Sequence, residues 1–240
     1  MTPCAPLYLP PPGYGRVRIV DSFQELVATP FGGGVNALCW PRRLNGNFAE
    51  VVRHLAVTDD VTPVDESLLR ALPLGPEGRA AVATLVEDLE RLRAHGLAPS
   101  LDCIRRYPRD EETGTVSTDV YSFHADSATV ETDTYLCSYT EVASEGLRND
   151  EAQRYVDQPE TRARLLREFG GEDGDDFREF LRDHCYDLHY APRPGARPFD
   201  FGLGHLWRIA VDYPGSPVPP CVHRAPDPVP GRPPRLLLIS

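Results

Sequence analysis

Lysine is absent from this chain of 240 residues: all 25 basic residues are arginine, set against 36 acids for a net charge of −11. The chain also lacks a basic run, and without clustered cations general binding to nucleic acid or to an anionic membrane surface is not expected. Long apolar runs are missing as well. The longest aliphatic stretch, Leu236 to Ile239, is far too short to cross a bilayer. The N-terminus has neither a basic start nor an apolar signal core, so a cytoplasmic location is the default expectation.

Paired cysteine spacing is absent too. Cysteines 4, 39, 103, 137, 185 and 221 are scattered, which excludes a zinc ribbon or a redox dithiol and favours reduced, buried thiols. Gly32-Gly33-Gly34 has no following lysine and so reads as a turn, not a phosphate loop. Ser127 and Ser144 lack the glycine-flanked setting of a hydrolase nucleophile. No internal repeat is present.

What remains is globular composition, 41% hydrophobic and 25% charged. A Pro-rich arm over 1–15 precedes a single domain over 16–240. Within it, residues 16–98 read as a helical layer. Asp21 and Ser22 can cap a short helix through Val27, the triglycine then breaks the chain before an apolar strand, Val35 to Trp40, and Asn47 can cap a second helix bearing Val51, Val52 and Leu55. The strongest helix runs from Pro76 to Gly96, with Val82, Leu85, Val86, Leu89 and Leu92 on the helical period. Residues 99–240 read as a β core. Its expected strands are Leu101–Tyr107, Val116–Phe123, Ala128–Thr140, His205–Tyr213 and Arg235–Ile239. Tyr121, Tyr135, Tyr139 and Trp207 are expected in its core or pocket wall.

A helical insertion over 149–188 interrupts that core. Asn149 or Asp150 is expected to cap a first helix, Pro159 to open a second, and Asp175 to cap a third with Phe177, Phe180, Leu181 and Cys185 on one stripe. The insertion carries net −6, whereas residues 189–240 carry net +3. A small anion therefore finds its favourable field near the C-terminus, and the insertion is expected at the substrate entrance.

The chemistry concentrates in Phe123-His124-Ala125-Asp126. At a strand end, positions i and i+2 face the same side, so His124 and Asp126 can converge on one metal while Ala125 points away. His223, in another short extended stretch, is the candidate third ligand. Two histidines and a carboxylate on one face of Fe(II) leave positions open for a bidentate co-substrate and dioxygen. His184, Cys185 and His189 find no second cluster to complete a metal site and read as a helix end.

This pattern resembles the Fe(II)- and 2-oxoglutarate-dependent oxygenases over about residues 99–240. The resemblance rests on His124-Ala125-Asp126, on the distal His223, and on Arg232 or Arg235 some ten positions later. It implies an α+β chain built on a double-stranded β-helix (jelly roll), with Fe(II) held by His124, Asp126 and His223. It also implies 2-oxoglutarate as co-substrate, its far carboxylate gripped by an arginine fork. The expected reaction is hydroxylation of a small-molecule or peptide-like substrate, with release of succinate and CO2. Asp126 argues against a related halogenase, in which a small residue replaces the carboxylate. Between the arginines, strand alternation favours Arg235, which shares an inward face with Leu237 and Ile239, while Arg232 sits in a Pro-rich turn. Two other readings stay open. One is a cupin-like metal dioxygenase or isomerase that needs a further ligand and no arginine; the other is a jelly roll that only binds a ligand or protein.

Overall fold

The structure, a computed structural model, describes residues 8–109 and 114–240. The expected arm over 1–15 and Cys4 therefore lie partly or wholly outside the described residues. From Tyr8 onward the arm packs on the body, its ring edge-on to Trp207 and its hydroxyl donating to the Asp200 carbonyl.

The first half of the chain builds helices where local signals demand them. Strand β1 (Val17–Ile19) leads into α1 (Phe23–Ala28), whose cap Ser22 accepts from the Glu25 N–H. After β2 (Ala37–Trp40), Asn47 caps α2 (Phe48–Leu55) in the same way. Strand β3 (Val61–Pro63) and α3 (Glu66–Ala71) follow, then α4 (Pro76–Ala94). Helix α4 stops at Gly96, whose φ of 83° suits glycine, with Leu97 N–H donating to the Leu92 carbonyl. Residues 16–98 are thus not purely helical. Besides β2, which falls within the strand expected over Val35–Trp40, they add β1 and β3 at the two edges of one sheet.

The second half supplies β4 (Ser100–Ile104), β5 (Phe123–His124), β6 (Asp133–Ser138), β7 (Glu145–Leu147) and β8 (Ala152–Arg154). Helices α5 (Pro159–Phe169) and α6 (Asp175–Asp183) come next. Strands β9 (His189–Pro192), β10 (Phe199–Asp200), β11 (Leu206–Ala210), β12 (Val222–Arg224) and β13 (Arg235–Ile239) complete the chain.

Two sheets result, in a mixed α and β architecture. One has seven strands in the order β1-β2-β11-β6-β13-β4-β3, the other six in the order β10-β7-β12-β5-β9-β8. The pairing is nested: β4 with β13, β5 with β12, β6 with β11 and β7 with β10, all antiparallel. Successive nested pairs alternate between the sheets, as in a long hairpin ribbon rolled upon itself. Only β8 and β9, brought by the insertion, lie outside this scheme on the six-stranded sheet; they extend it beyond β5.

The period of two along each strand decides what faces what. Leu236 and Leu238 of β13, with Tyr135 and Cys137 of β6, pack under Leu85, Leu89 and Leu92 of α4. Their neighbours Arg235, Leu237 and Ile239 line an interior cavity instead. A buried ion pair locks the helical layer to the sheet: Arg42 donates to Asp88 of α4 at 2.6 Å, and the Tyr139 hydroxyl donates to the other Asp88 oxygen at 2.7 Å.

Several expected elements are corrected. Val116–Phe123 is not a strand until Phe123, because the Asp119 carboxylate accepts from the Tyr121 and Ser122 N–H groups and turns the chain. Ala128–Thr140 narrows to Asp133–Ser138, the stretch with strands on both sides. No helix starts at Asn149 or Asp150. The Asn149 side chain is taken by Tyr14, Asn36 and the Pro220 carbonyl, and Ala152–Arg154 pairs with β9. Helix α6 begins at Asp175 with Gly174 at its cap position, and Cys185 leaves the expected stripe in a left-handed conformation with φ 57°. Among the described cysteines, Cys39, Cys103, Cys137 and Cys221 are buried thiols and Cys185 is exposed, none of them in a disulfide. Among the described residues no helix is long and apolar enough to cross a membrane.

Candidate metal centre

His124 ends β5 and stands directly opposite His223 of β12. Opposed residues of an antiparallel pair share a face, so both imidazoles point into the space between the sheets, with ring centroids 4.6 Å apart. The chain past β5 stays extended because backbone bonds hold it on both sides. Ala125 N–H donates to the Leu188 carbonyl at 2.9 Å, and Asp212 N–H donates to the Asp126 carbonyl at 2.8 Å. Asp126 thereby turns to the same side as His124. Its carboxylate oxygens lie 3.8 Å from His124 Nε2 and 3.8 Å from His223 Nε2.

These residues form a donor set for a cation. One donor atom from each of His124, Asp126 and His223 falls within 4.8 Å of the others, the only such His, Cys, Asp or Glu group among the described residues. In each imidazole Nδ1 is tied to a backbone carbonyl, His124 to Ser122 at 2.8 Å and His223 to Cys221 at 3.3 Å. That fixes the protonated nitrogen on Nδ1 and leaves the Nε2 lone pairs for an ion. Thr134 of β6 donates to Asp126 Oδ2 at 2.6 Å and orients the carboxylate from the opposite sheet.

The electrostatics favour metal over proton. Burial, followed by the neighbouring His223, pushes the His124 imidazole down to about 4. Burial alone would raise the Asp126 carboxyl, but His223, the Thr134 hydroxyl and His124 together hold it below its usual value. His124 is therefore a neutral imidazole and Asp126 a carboxylate at neutral pH, as an ion requires of its ligands. This predicts an acid-sensitive fold. Between the ordinary histidine value of 6.5 and about 4, the unfolded chain protonates this imidazole and the folded chain does not. Stability of the metal-free protein should accordingly fall as pH drops through that window, by on the order of 3 kcal/mol. Denaturant midpoints measured across the same pH range check this; a flat profile would contradict it.

The cavity beside the triad holds about 120 Å³ and is lined by Tyr107, Val120, Thr134, Leu136, Ser144, Ala225, Leu237 and Ile239 besides the three candidate ligands and Arg235. Arg235 is 9% exposed and makes no ion pair among the described residues. Its Nη2 reaches the Ser138 and Ser144 hydroxyls only at 3.3 and 3.4 Å, and its Nε is buried with no partner. Burial lowers its affinity for the proton, with Tyr107 and Tyr121 opposing. Arg232, by contrast, is exposed in the turn before β13, away from the triad.

No family model, curated protein or solved structure matches this chain. The site must be read from its own geometry.

Sequence reasoning brings together His124, Asp126, His223 and Arg235, and the structure places all four around one cavity. It misses Thr134 and Ser138, although both lie in register with Leu136 on the inward side of β6; the alternation is visible, but not which face turns inward. It also misses His189. That residue leaves the helix-end group expected with His184 and Cys185, and stands opposite His124 on the other side of β5.

Proposed function

We propose that the protein is an Fe(II)- and 2-oxoglutarate-dependent oxygenase on a double-stranded β-helix, most simply a hydroxylase of a small-molecule or peptide-like substrate. The nested pairing of eight strands alternating between two sheets supports the jelly-roll reading. The observation that carries the functional reading is Arg235, a buried guanidinium with no ion pair among the described residues, facing the same small cavity as a two-histidine, one-carboxylate set. An unpaired buried charge is costly, and a ligand carboxylate relieves that cost.

The donor set fits a divalent iron, with three ligands on one side and open positions on the other. When bound, the iron would supply dioxygen activation coupled to 2-oxoglutarate decarboxylation. The chain does the rest. His124, Asp126 and His223 hold the ion, and Thr134 fixes the carboxylate. Arg235, with the Ser138 and Ser144 hydroxyls, orients the far end of the co-substrate. Val120, Leu136, Leu237 and Ile239 keep water away from its carbon chain. A cavity of about 120 Å³ takes one small dicarboxylate and little more, so the substrate to be oxidised lies outside it.

The cupin-like alternative needs a fourth ligand, and no fourth donor shares the ion's space among the described residues. It also gives Arg235 nothing to do. Thermal-shift measurements separate the readings. Mn(II) alone should raise the melting temperature, and 2-oxoglutarate should raise it further only when Mn(II) is present. Stabilisation by metal with no response to 2-oxoglutarate would remove the oxygenase reading; no response to metal would remove the metal centre.

A further inference from the structure

Arg235 stands at a boundary. Together with Tyr107 it lines the metal cavity of about 120 Å³, and the same two side chains also line a second pocket of about 40 Å³. That pocket lies nearer the surface, since its other walls include the exposed Arg105, Arg106, Val229 and Arg232. Arg235 and Tyr107 therefore separate an inner space from an outer one. The Arg235 charge acts on Tyr121 as well as on Tyr107, and Tyr121 belongs to the outer pocket alone of these two. The Tyr107 backbone is fixed, its N–H donating to the Tyr121 hydroxyl at 2.6 Å. Its own hydroxyl makes no hydrogen bond among the described residues, so the ring can swing without breaking one.

The outer pocket has the charge of an anion's mouth. Four arginines line it, Arg105, Arg106, Arg232 and Arg235, against two acids, Glu141 and Asp227. Arg106 is spent on Asp60 at 2.8 Å, and Asp227 on Arg109 at 2.7 Å. Arg105 donates to the Val57 carbonyl, which leaves its charge unneutralised. Arg232, like Arg235, makes no ion pair among the described residues. Three arginines thus remain against Glu141. The other opening near the triad has the opposite sign. A cleft of about 780 Å³ beyond Asp126 carries Asp187 and Asp212 against Arg182, and it shares no lining residue with the metal cavity. It is to this cleft, not to the outer pocket, that the insertion brings Arg182, Asp187 and Leu188. A doubly charged anion is drawn to the basic mouth and repelled from the acidic one.

We propose that small dicarboxylates enter and leave the metal cavity through the outer pocket, past the Tyr107 ring, with Arg232 receiving a carboxylate at the mouth and Arg235 taking it over inside. The proposal rests on the oxygenase reading for the identity of these anions, 2-oxoglutarate inward and succinate outward. The outer pocket has room for a carboxylate group with a few waters, as a point of passage requires, and not for a second resident ligand. Arg232, which the register of β13 leaves outside the cavity, thereby acquires a task of its own.

The test blocks each opening in turn in the Mn(II)-loaded protein. Val229→Cys at the outer pocket and Thr129→Cys at the acidic cleft are each capped with a bulky maleimide, and the parent, treated in the same way at its exposed Cys185, is the reference. Exchange is followed by the broadening that the paramagnetic ion imposes on the proton lines of 2-oxoglutarate and of succinate. A cap on the mouth hinders entry and exit by the same factor, so the Val229 cap should slow exchange of both anions about ten-fold and leave their affinity unchanged. The Thr129 cap should leave exchange at the parental rate. Arg232→Gln should slow entry and exit alike by about threefold at low salt, since its charge meets the carboxylate only on the way. Exchange untouched by the Val229 cap, slowed as much by the Thr129 cap, or unaltered in Arg232→Gln would overturn the inference. Succinate has both carboxylates but lacks the 2-oxo group that grips a metal, so it reports the passage by itself. If 2-oxoglutarate binds no more tightly with Mn(II) than without it while the Val229 cap still slows succinate, the oxygenase reading falls and the passage stands.

Discussion

Arg235→Gln is expected to weaken 2-oxoglutarate binding by about 2–5 kcal/mol, the range for truncating one partner of a buried charge pair. Metal binding should survive, because Arg235 touches none of the candidate ligands. The variant carries a second, less obvious consequence. In the ligand-free protein the guanidinium is buried and, among the described residues, has only two long hydroxyl contacts and an unpartnered Nε. Removing it takes away an uncompensated charge, so the melting temperature without co-substrate should hold steady or rise. A merely structural arginine would show the opposite: lower stability and unchanged 2-oxoglutarate affinity. Arg232→Gln supplies the control, since that side chain is exposed in a turn and should change neither quantity. Titration of 2-oxoglutarate into Mn(II)-loaded protein, with melting curves on the same samples, decides between the two outcomes.

Asp126→Ala should reduce metal affinity by more than about a hundredfold, beyond what loss of an outer-shell partner costs, and bring 2-oxoglutarate turnover to background. The reason is electrostatic as well as geometric, because Asp126 is the one anion in the donor set. Folding should change little. The carboxylate sits at the cavity edge, its side chain 29% exposed, and its one hydrogen bond from a side chain comes from Thr134. Stranding that hydroxyl costs about 1 kcal/mol, and less if water reaches it. The sharpest readout is therefore the separation of two curves: metal titration collapses while the metal-free denaturant midpoint stays near that of the parent. Near-normal 2-oxoglutarate consumption would remove Asp126 from the ligand set.

Elements whose information is local are legible in the amino-acid sequence alone. Ser22 and Asn47 cap their helices, Gly96 stops α4, and Arg235–Ile239 is a strand with the expected alternation. Each depends on neighbours within a turn or a few residues, where side-chain period and capping chemistry suffice. The pairing of His124 with Asp126 is legible for the same reason, as two positions along one extended segment. Local patterns mislead where a side chain is spent on a competing turn or on a distant partner. Asp119 turns the chain inside an apparent strand, and the Asn149 side chain accepts from the Tyr14 hydroxyl and donates to the Pro220 carbonyl instead of capping a helix.

By itself, the sequence determined which residues could ligate a metal and which strand face Arg235 would take. Only the tertiary structure decided that they meet. His223 lies far along the chain from His124, and nothing but the β5·β12 ladder sets the two opposite each other. The same holds for Thr134 against Asp126, for His189 beside His124, and above all for the lack of an ion pair at the buried Arg235 among the described residues. Whether a charge is paired is a property of everything folded around it. Strand register fixes that surrounding through hydrogen bonds between segments remote in sequence, and such partners leave no local pattern to read.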